Sequence, residues 1–129
     1  KMFWHFPHYT NQGGRPSGCA RDGRWLLVEL YDEDRSELYD LTEDISEKTD
    51  VVDQHPDRVR AMKHELHQWR ENNDVQYNTP NPDCDEGLFQ KLYIDTDPSR
   101  FDPLHADETE WKEMLEWRKG MGSVYRGHP

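Results

Sequence analysis

His5 and His8 flank Phe6 and Pro7 in the run Phe3-Trp4-His5-Phe6-Pro7-His8-Tyr9. Two imidazoles on either side of a rigid proline, at a strand-to-loop junction, can be aimed at a neighbouring surface. Joined by Tyr9 and Arg15 they form a donor set for an anionic or sugar substrate. As a metal pair they lack further ligands, and the competing reading is an aromatic plug between domains. Asp32, Asp34, Ser36, Asp40 and Glu43 place oxygens at positions 1, 3, 5, 9 and 12 of a calcium loop. Glu37 stands where that loop needs glycine, and the preceding segment reads as a strand rather than a helix, so a solvated acidic rim is the better account. His64 and His67 lie three apart on a helix, but no HExxH or cysteine set completes them, and packing or solvent exposure is favoured. No nucleophile motif surrounds Cys19. On the residues alone, the chain has no catalytic set and no metal set.

The elements that must position these residues follow from their periods. Met2 to Phe6 reads as a short aromatic strand ended by Pro7, and His8 to Gly18 as a long loop of turn formers. From Ala20 to Leu41 the chain reads as two successive β-hairpins, reversing at Asp22-Gly23 and again at Asp32 to Arg35. Leu26, Val28 and Leu30 fall on one face of this meander and Trp25, Leu27, Glu29 and Tyr31 on the other. The all-aliphatic set is the expected core face.

A single turn around Asp50 to Asp53 precedes Pro56, which opens a helix of about Asp57 to Asn72. Val59, Met62, Leu66 and Trp69 make its apolar stripe, the natural cover for the sheet. Asn73 to Glu86 is turn and coil, and Leu88 to Ile94 a short strand or irregular segment. Asp107 opens a second helix with Glu110 as capping-box partner, Trp111, Met114, Leu115 and Arg118 on one side, and Gly120 and Gly122 closing it. The tail from Ser123 to Pro129 is expected to need a docking surface. The fold class is α+β, a small antiparallel sheet packed on an amphipathic helix with a second C-terminal helix.

The totals restrict partners. The 27 acidic and 16 basic residues give a formal charge of -11, which argues against nucleic acid and anionic membrane as partners. No apolar run approaches the ~20 residues of a membrane span, and no signal sequence is seen. At 33% hydrophobic and 33% charged, the chain is polar for a self-sufficient domain. It starts at Lys1 with strand-like residues close behind, and reads as a fragment of something longer. Two cysteines, Cys19 and Cys84, do not make a disulfide framework and leave the compartment open. Five Trp, six Tyr and four Phe raise the alternative of a stand-alone carbohydrate-binding or interaction module, although Trp69 and Trp111 sit on apolar helix faces.

Taken in order, FWHFPHY at Phe3 to Tyr9, RPSG at Arg15 to Gly18, ARDGRWLLVE at Ala20 to Glu29, ELYDL at Glu37 to Leu41 and HPDRV at His55 to Val59 resemble the C-terminal subdomain of type I sulfatases. The resemblance covers about residues 1–82 and leaves 83–129 as an extension with one helix packed on the same domain. It implies a four-stranded antiparallel sheet with one packed helix and an absent N-terminal catalytic domain. That domain would hold a calcium ion and a formylglycine made from Cys in C-x-P-S-R. Cys19 is followed by Ala20-Arg21-Asp22-Gly23 and does not match that motif. The resemblance further implies a periplasmic or secreted parent protein that hydrolyses sulfate esters on carbohydrate. This piece would supply scaffold and part of the substrate rim, with His5, His8 and Arg15 close to substrate.

Overall fold

Gly23 takes a φ of 60°, a left-handed conformation that glycine adopts at little cost, and the Asp22-Gly23 reversal lies at the centre of an antiparallel meander. In the computed structural model, which describes residues 1–126, β1 is Met2–Phe6, β2 Ser17–Asp22, β3 Trp25–Leu30 and β4 Arg35–Asp40. They form one four-stranded sheet in the order β1-β2-β3-β4. Three α-helices follow, α1 at Pro56–Asn72, α2 at Glu86–Phe89 and α3 at Glu108–Arg126, so the fold is α+β. The chain divides into two compact units, the first of residues 1–8 and 15–78, the second of residues 9–14 and the chain from Thr79 onward.

In the first unit the pairings Trp4 with Cys19, Cys19 with Val28 and Val28 with Glu37 fix the register. Side chains alternate across the pleat, so this register sends Leu27, Ala20 and Leu38 to the opposite face from Val28. That opposite face is the core: Ala20, Leu27, Leu38, Met62 and Leu66 form one buried cluster, flanked by Phe3, Trp25, Val59 and Trp69. Burying side chains of this kind stabilises the unit by ~1.5–3 kcal/mol each. The expected core set is therefore overturned, because Leu26, Val28 and Leu30 point away from α1 and stay only half-buried. Both faces of β3 are rich in apolar residues, and Glu29 argues in sequence against its own face. It is accommodated because basic residues of α1 answer its charge.

The face that carries Trp25 and Tyr31 is therefore the one that α1 covers. Trp25 lies on the α1 side, edge-on to His55 at 4.7 Å and under the Arg58 guanidinium at 4.8 Å. The open face of the sheet is the other one, where Met2, Trp4 and Phe6 are 48%, 47% and 45% exposed.

The helix runs as its sequence dictates. Pro56 occupies its first turn, Asp57 places an acid at the start and Arg70 a base at the end, matching the helix dipole. Met62 and Leu66 carry the stripe into the core, and Trp69 stacks on Phe3 with ring centroids 5.6 Å apart. Asp50 ties the outer edge of β4 to the turn before α1, its Oδ1 accepting from the Leu38 N–H at 3.0 Å and the Val52 N–H at 2.9 Å. An edge strand covered in this way is closed to further pairing.

Gly18 is a packing requirement. A Cβ there would collide with the Tyr31 hydroxyl and meet Leu66 Cδ2 at 3.3 Å. Gly18→Ala is expected to lower stability by about 1–3 kcal/mol and to displace the Tyr31 ring, read as a fall in thermal midpoint with an altered tyrosine near-ultraviolet signal.

In the second unit the capping box forms as its spacing predicts. Asp107 Oδ1 accepts from the N–H groups of Thr109 and Glu110 at 2.8 and 2.9 Å, and Glu110 Oε2 accepts from the Asp107 N–H at 2.8 Å. The buried face of α3 is Trp117 and Met121, packed on Leu92, whereas Trp111 and Leu115 are exposed. Gly120 does not end the helix. A Cβ at Gly120 would stand 2.8 Å from Leu92 Cδ2, so this glycine is a notch for a buried leucine. The segment expected to be strand or irregular is helical: Asp85 caps α2 by accepting from the Leu88 N–H at 2.9 Å, and one π-turn, Gln90–Ile94, continues it. The helix of the expected tail runs to Arg126, and the rest of that tail lies outside the described residues.

Candidate functional site

Charge and aromatic surface converge at one end of the first unit, where β1, β3 and the last turn of α1 meet. Glu29 on β3 is 6% exposed. His67 Nε2 donates to its two oxygens at 2.9 and 2.8 Å, and Lys63 Nζ lies 3.4 Å from Oε1. All three α1 residues around Glu29, Lys63, His67 and Arg70, fall on one side of the helix by the i, i+4, i+7 spacing.

The chain beyond α1 completes the site. Asn73 and Asp74 reverse it, Asp74 in the left-handed region at φ 48°, and the Val75 N–H returns to the Arg70 carbonyl at 3.3 Å. The following residues then run beside β1, where Asn78 Nδ2 donates to the Pro7 carbonyl at 2.7 Å. This places Tyr77 against the guanidinium of Arg70 at 4.6 Å, with Tyr31 on it at 4.4 Å. Together Glu29, Tyr31, Asp34, His67, Arg70 and Tyr77 bound a cleft of about 270 Å³.

His5 is a strut of this arrangement. Its Nε2 lies 2.6 Å from the Gln76 carbonyl and its Nδ1 2.8 Å from the Tyr31 hydroxyl. A carbonyl only accepts, so Nε2 carries the hydrogen, and in the neutral ring Nδ1 accepts the Tyr31 O–H. Burial pushes the Tyr31 phenol up to about 12, so it stays a donor at neutral pH. His8 is exposed and stands edge-on to Phe6 at 5.5 Å. Arg15 is held by Asp32 and Glu33, each at 2.9 Å from Nη2. The structure joins His5 to the cleft through Tyr31 and engages Arg15 in an acidic clamp. Of the acids spaced like a calcium loop, Asp32 pairs with Arg15 and Asp40 with Arg24. Among the described residues no group of three or more His, Cys, Asp and Glu converges to hold a metal ion.

Arg70, Tyr31 and Tyr77 were not singled out as site residues by sequence. An arginine at the end of a helix reads as a solvated base, and its burial is made by tyrosines from two other segments.

Cys19 lies on the other face of the sheet, and both cysteines are free thiols. Burial, with the charge of Glu47 adding to it, pushes the Cys19 thiol up to about 11, so it is no nucleophile at neutral pH. A thiol reagent at neutral pH is expected to label exposed Cys84 and spare Cys19. The same shift makes alkali destabilising. The unfolded chain loses the thiol proton near 9.0 and the folded chain near 11, so the unfolded state binds fewer protons between them and stability falls as pH rises through that window. Tyr31 and Tyr39, both raised by burial, extend the fall to higher pH. Cys19→Ser should flatten the urea midpoint between about pH 9 and 11, and a slope equal to the parent chain's would contradict this.

No family model matches the chain. A curated protein described as "Sulfatase" from Formosa agariphila is 24% identical to it over 101 residues, which cover 70% of this chain and 18% of that protein. The matched part of this chain thus spans less than a fifth of the relative's length. This match supports a sulfatase-related region in the chain.

Proposed function

We propose that this chain is the C-terminal subdomain of a sulfatase that hydrolyses sulfate esters on carbohydrate, supplying scaffold and part of the substrate rim. The observation that carries the reading is the match to a sulfatase over 70% of the chain. The four-stranded sheet with one helix on its face agrees with what the sequence resemblance implies. In this reading the catalytic domain is N-terminal to Lys1, and His5, His8 and Arg15 lie toward the substrate. His8, exposed at the end of β1, is the most accessible of the three.

The partner of that domain in this chain is the open face of the sheet. Met2, Trp4 and Phe6 are close to half exposed there, and they line up across the strands with half-buried Val28 and Leu30. A row of large apolar side chains of this kind marks an interaction surface. The occupant we assign is the remainder of the parent protein, since the relative extends well beyond the matched segment. Formylglycine and calcium belong to that remainder. The residues here do not fit either group, because half-buried Cys19 stands outside a C-x-P-S-R motif and Asp32 and Asp40 of the acidic rim are engaged by Arg15 and Arg24.

The isolated chain is therefore expected to be inert. Incubated with an aryl sulfate it should release phenol no faster than buffer does. Turnover well above that background would place the chemistry inside this chain and sink the proposal.

A further inference from the structure

Arg70 is more deeply buried than its bonding accounts for. The residue is 8% exposed, yet its Nε is buried without a hydrogen-bond partner. The nearest carboxylate oxygen, Glu29 Oε2, is 3.8 Å from Nη1, too far for a hydrogen bond. Tyr31 and Tyr77 hold the guanidinium at 4.4 and 4.6 Å. Aromatic faces answer the charge of a cation but accept none of its in-plane N–H groups. A guanidinium stacked in this way is rigid and presents its fork edge-on, the geometry that takes an oxyanion through two parallel hydrogen bonds.

The walls of the cleft narrow the ligand further. Arg70 lines the cleft with Glu29, Asp34 and His67, and Lys63 stands against Glu29 at 3.4 Å from its Oε1, so two fixed positive charges answer the two carboxylates. A free dianion such as inorganic sulfate would meet a balanced site with two repelling carboxylates. A singly charged oxyanion on a hydroxylated carrier gives Arg70 its acceptor and gives Asp34 a hydroxyl donor, and the exposed Tyr77 ring offers a flank for the carrier.

We propose that the cleft between β3, the last turn of α1 and Tyr77 binds the carboxylate or sulfate-ester group of an acidic sugar, with Arg70 as its anchor. The anion site stands on the geometry of Arg70. It rests on the sulfatase reading only for the choice of a sugar as the carrier.

The test is a nuclear magnetic resonance titration of the isotope-labelled full chain, following the Arg70 Nε–H signal. The probes are a methyl glucuronide, a monosulfated glucose, inorganic sulfate and glucose. Both sugar anions should shift the Arg70 signal saturably, with affinity of about 1 mM and at least about tenfold tighter than inorganic sulfate or glucose. Arg70→Lys keeps the charge and loses the planar fork, and should weaken binding about tenfold or more. Tyr77→Ala changes a side chain that is 56% exposed and should weaken it several-fold while the chain stays folded.

An Arg70 signal unmoved by either sugar anion in the folded chain would overturn the proposal. So would inorganic sulfate or glucose binding as tightly, or an Arg70→Lys chain that binds like the parent. The signal is read in the unsubstituted chain, so the outcome does not depend on the variants folding. Failure of the cleft leaves the sulfatase reading intact, because that reading is carried by the sequence match.

Discussion

Replacing Leu66 by alanine is expected to lower the stability of the first unit by about 2–5 kcal/mol. Leu66 has no exposed surface and sits at the centre of the cluster with Ala20, Leu27, Leu38 and Met62. Its Cδ2 also lies against the position where Gly18 lacks a side chain. Truncation removes apolar contacts on the helix side and on the sheet side together. The sheet backbone is fixed by three antiparallel ladders, so the cavity has little means of collapsing. Domains of this size have a net stability of about 5–15 kcal/mol, so the loss is a large share of the total. Urea unfolding followed by circular dichroism should show a lower midpoint with an unchanged slope. A loss below about 1 kcal/mol would mean that α1 is not the lid of this sheet.

Removing the Glu29 carboxylate has an effect of similar size for a different reason. Glu29→Ala leaves Lys63, His67 and the buried Arg70 facing one another without the acid that His67 Nε2 reaches at 2.8 Å. Breaking a buried charge cluster by deleting one partner costs about 3–5 kcal/mol, mostly from the charge left behind. Replacing both Glu29 and Arg70 by methionine should therefore recover most of the loss, since well-packed apolar residues of similar size are often neutral replacements for a buried pair. The cycle is read by urea denaturation of the two single variants and the double variant. Additive losses would show that Glu29 and Arg70 are energetically independent and that the tolerance of an acid on the core face has another cause.

How far the sequence reveals this fold depends on whether a signal is local. The stripe of α1 is legible because Met62 and Leu66 repeat at helical spacing, and the start of α3 because Asp107 and Glu110 hold each other across one turn. The two hairpins are legible from Asp22-Gly23 and from the turn at Asp32 to Arg35. The facing of β3 is not. It is decided by the α1 bases that answer Glu29, at positions that are distant in sequence.

The face of α3 fails for a related reason. Trp111 and Leu115 are as apolar as Trp117 and Met121, and the choice is made by Leu92 filling the notch at Gly120 and by Trp117 Nε1 donating to the Leu92 carbonyl at 2.9 Å. The candidate cleft was half visible. His5 could be picked out as a strand-end imidazole. Arg70 could not, because the tyrosines that bury it come from β3's exit and from the segment after α1.

In the sulfatase reading we propose, the chemistry of the parent protein lies outside this chain. This reading is tested most directly by the reading frame immediately upstream of Lys1. The account predicts a catalytic domain there with a cysteine in C-x-P-S-R, continuous with the chain described above. An upstream frame without that motif, or one encoding an unrelated domain, would contradict it.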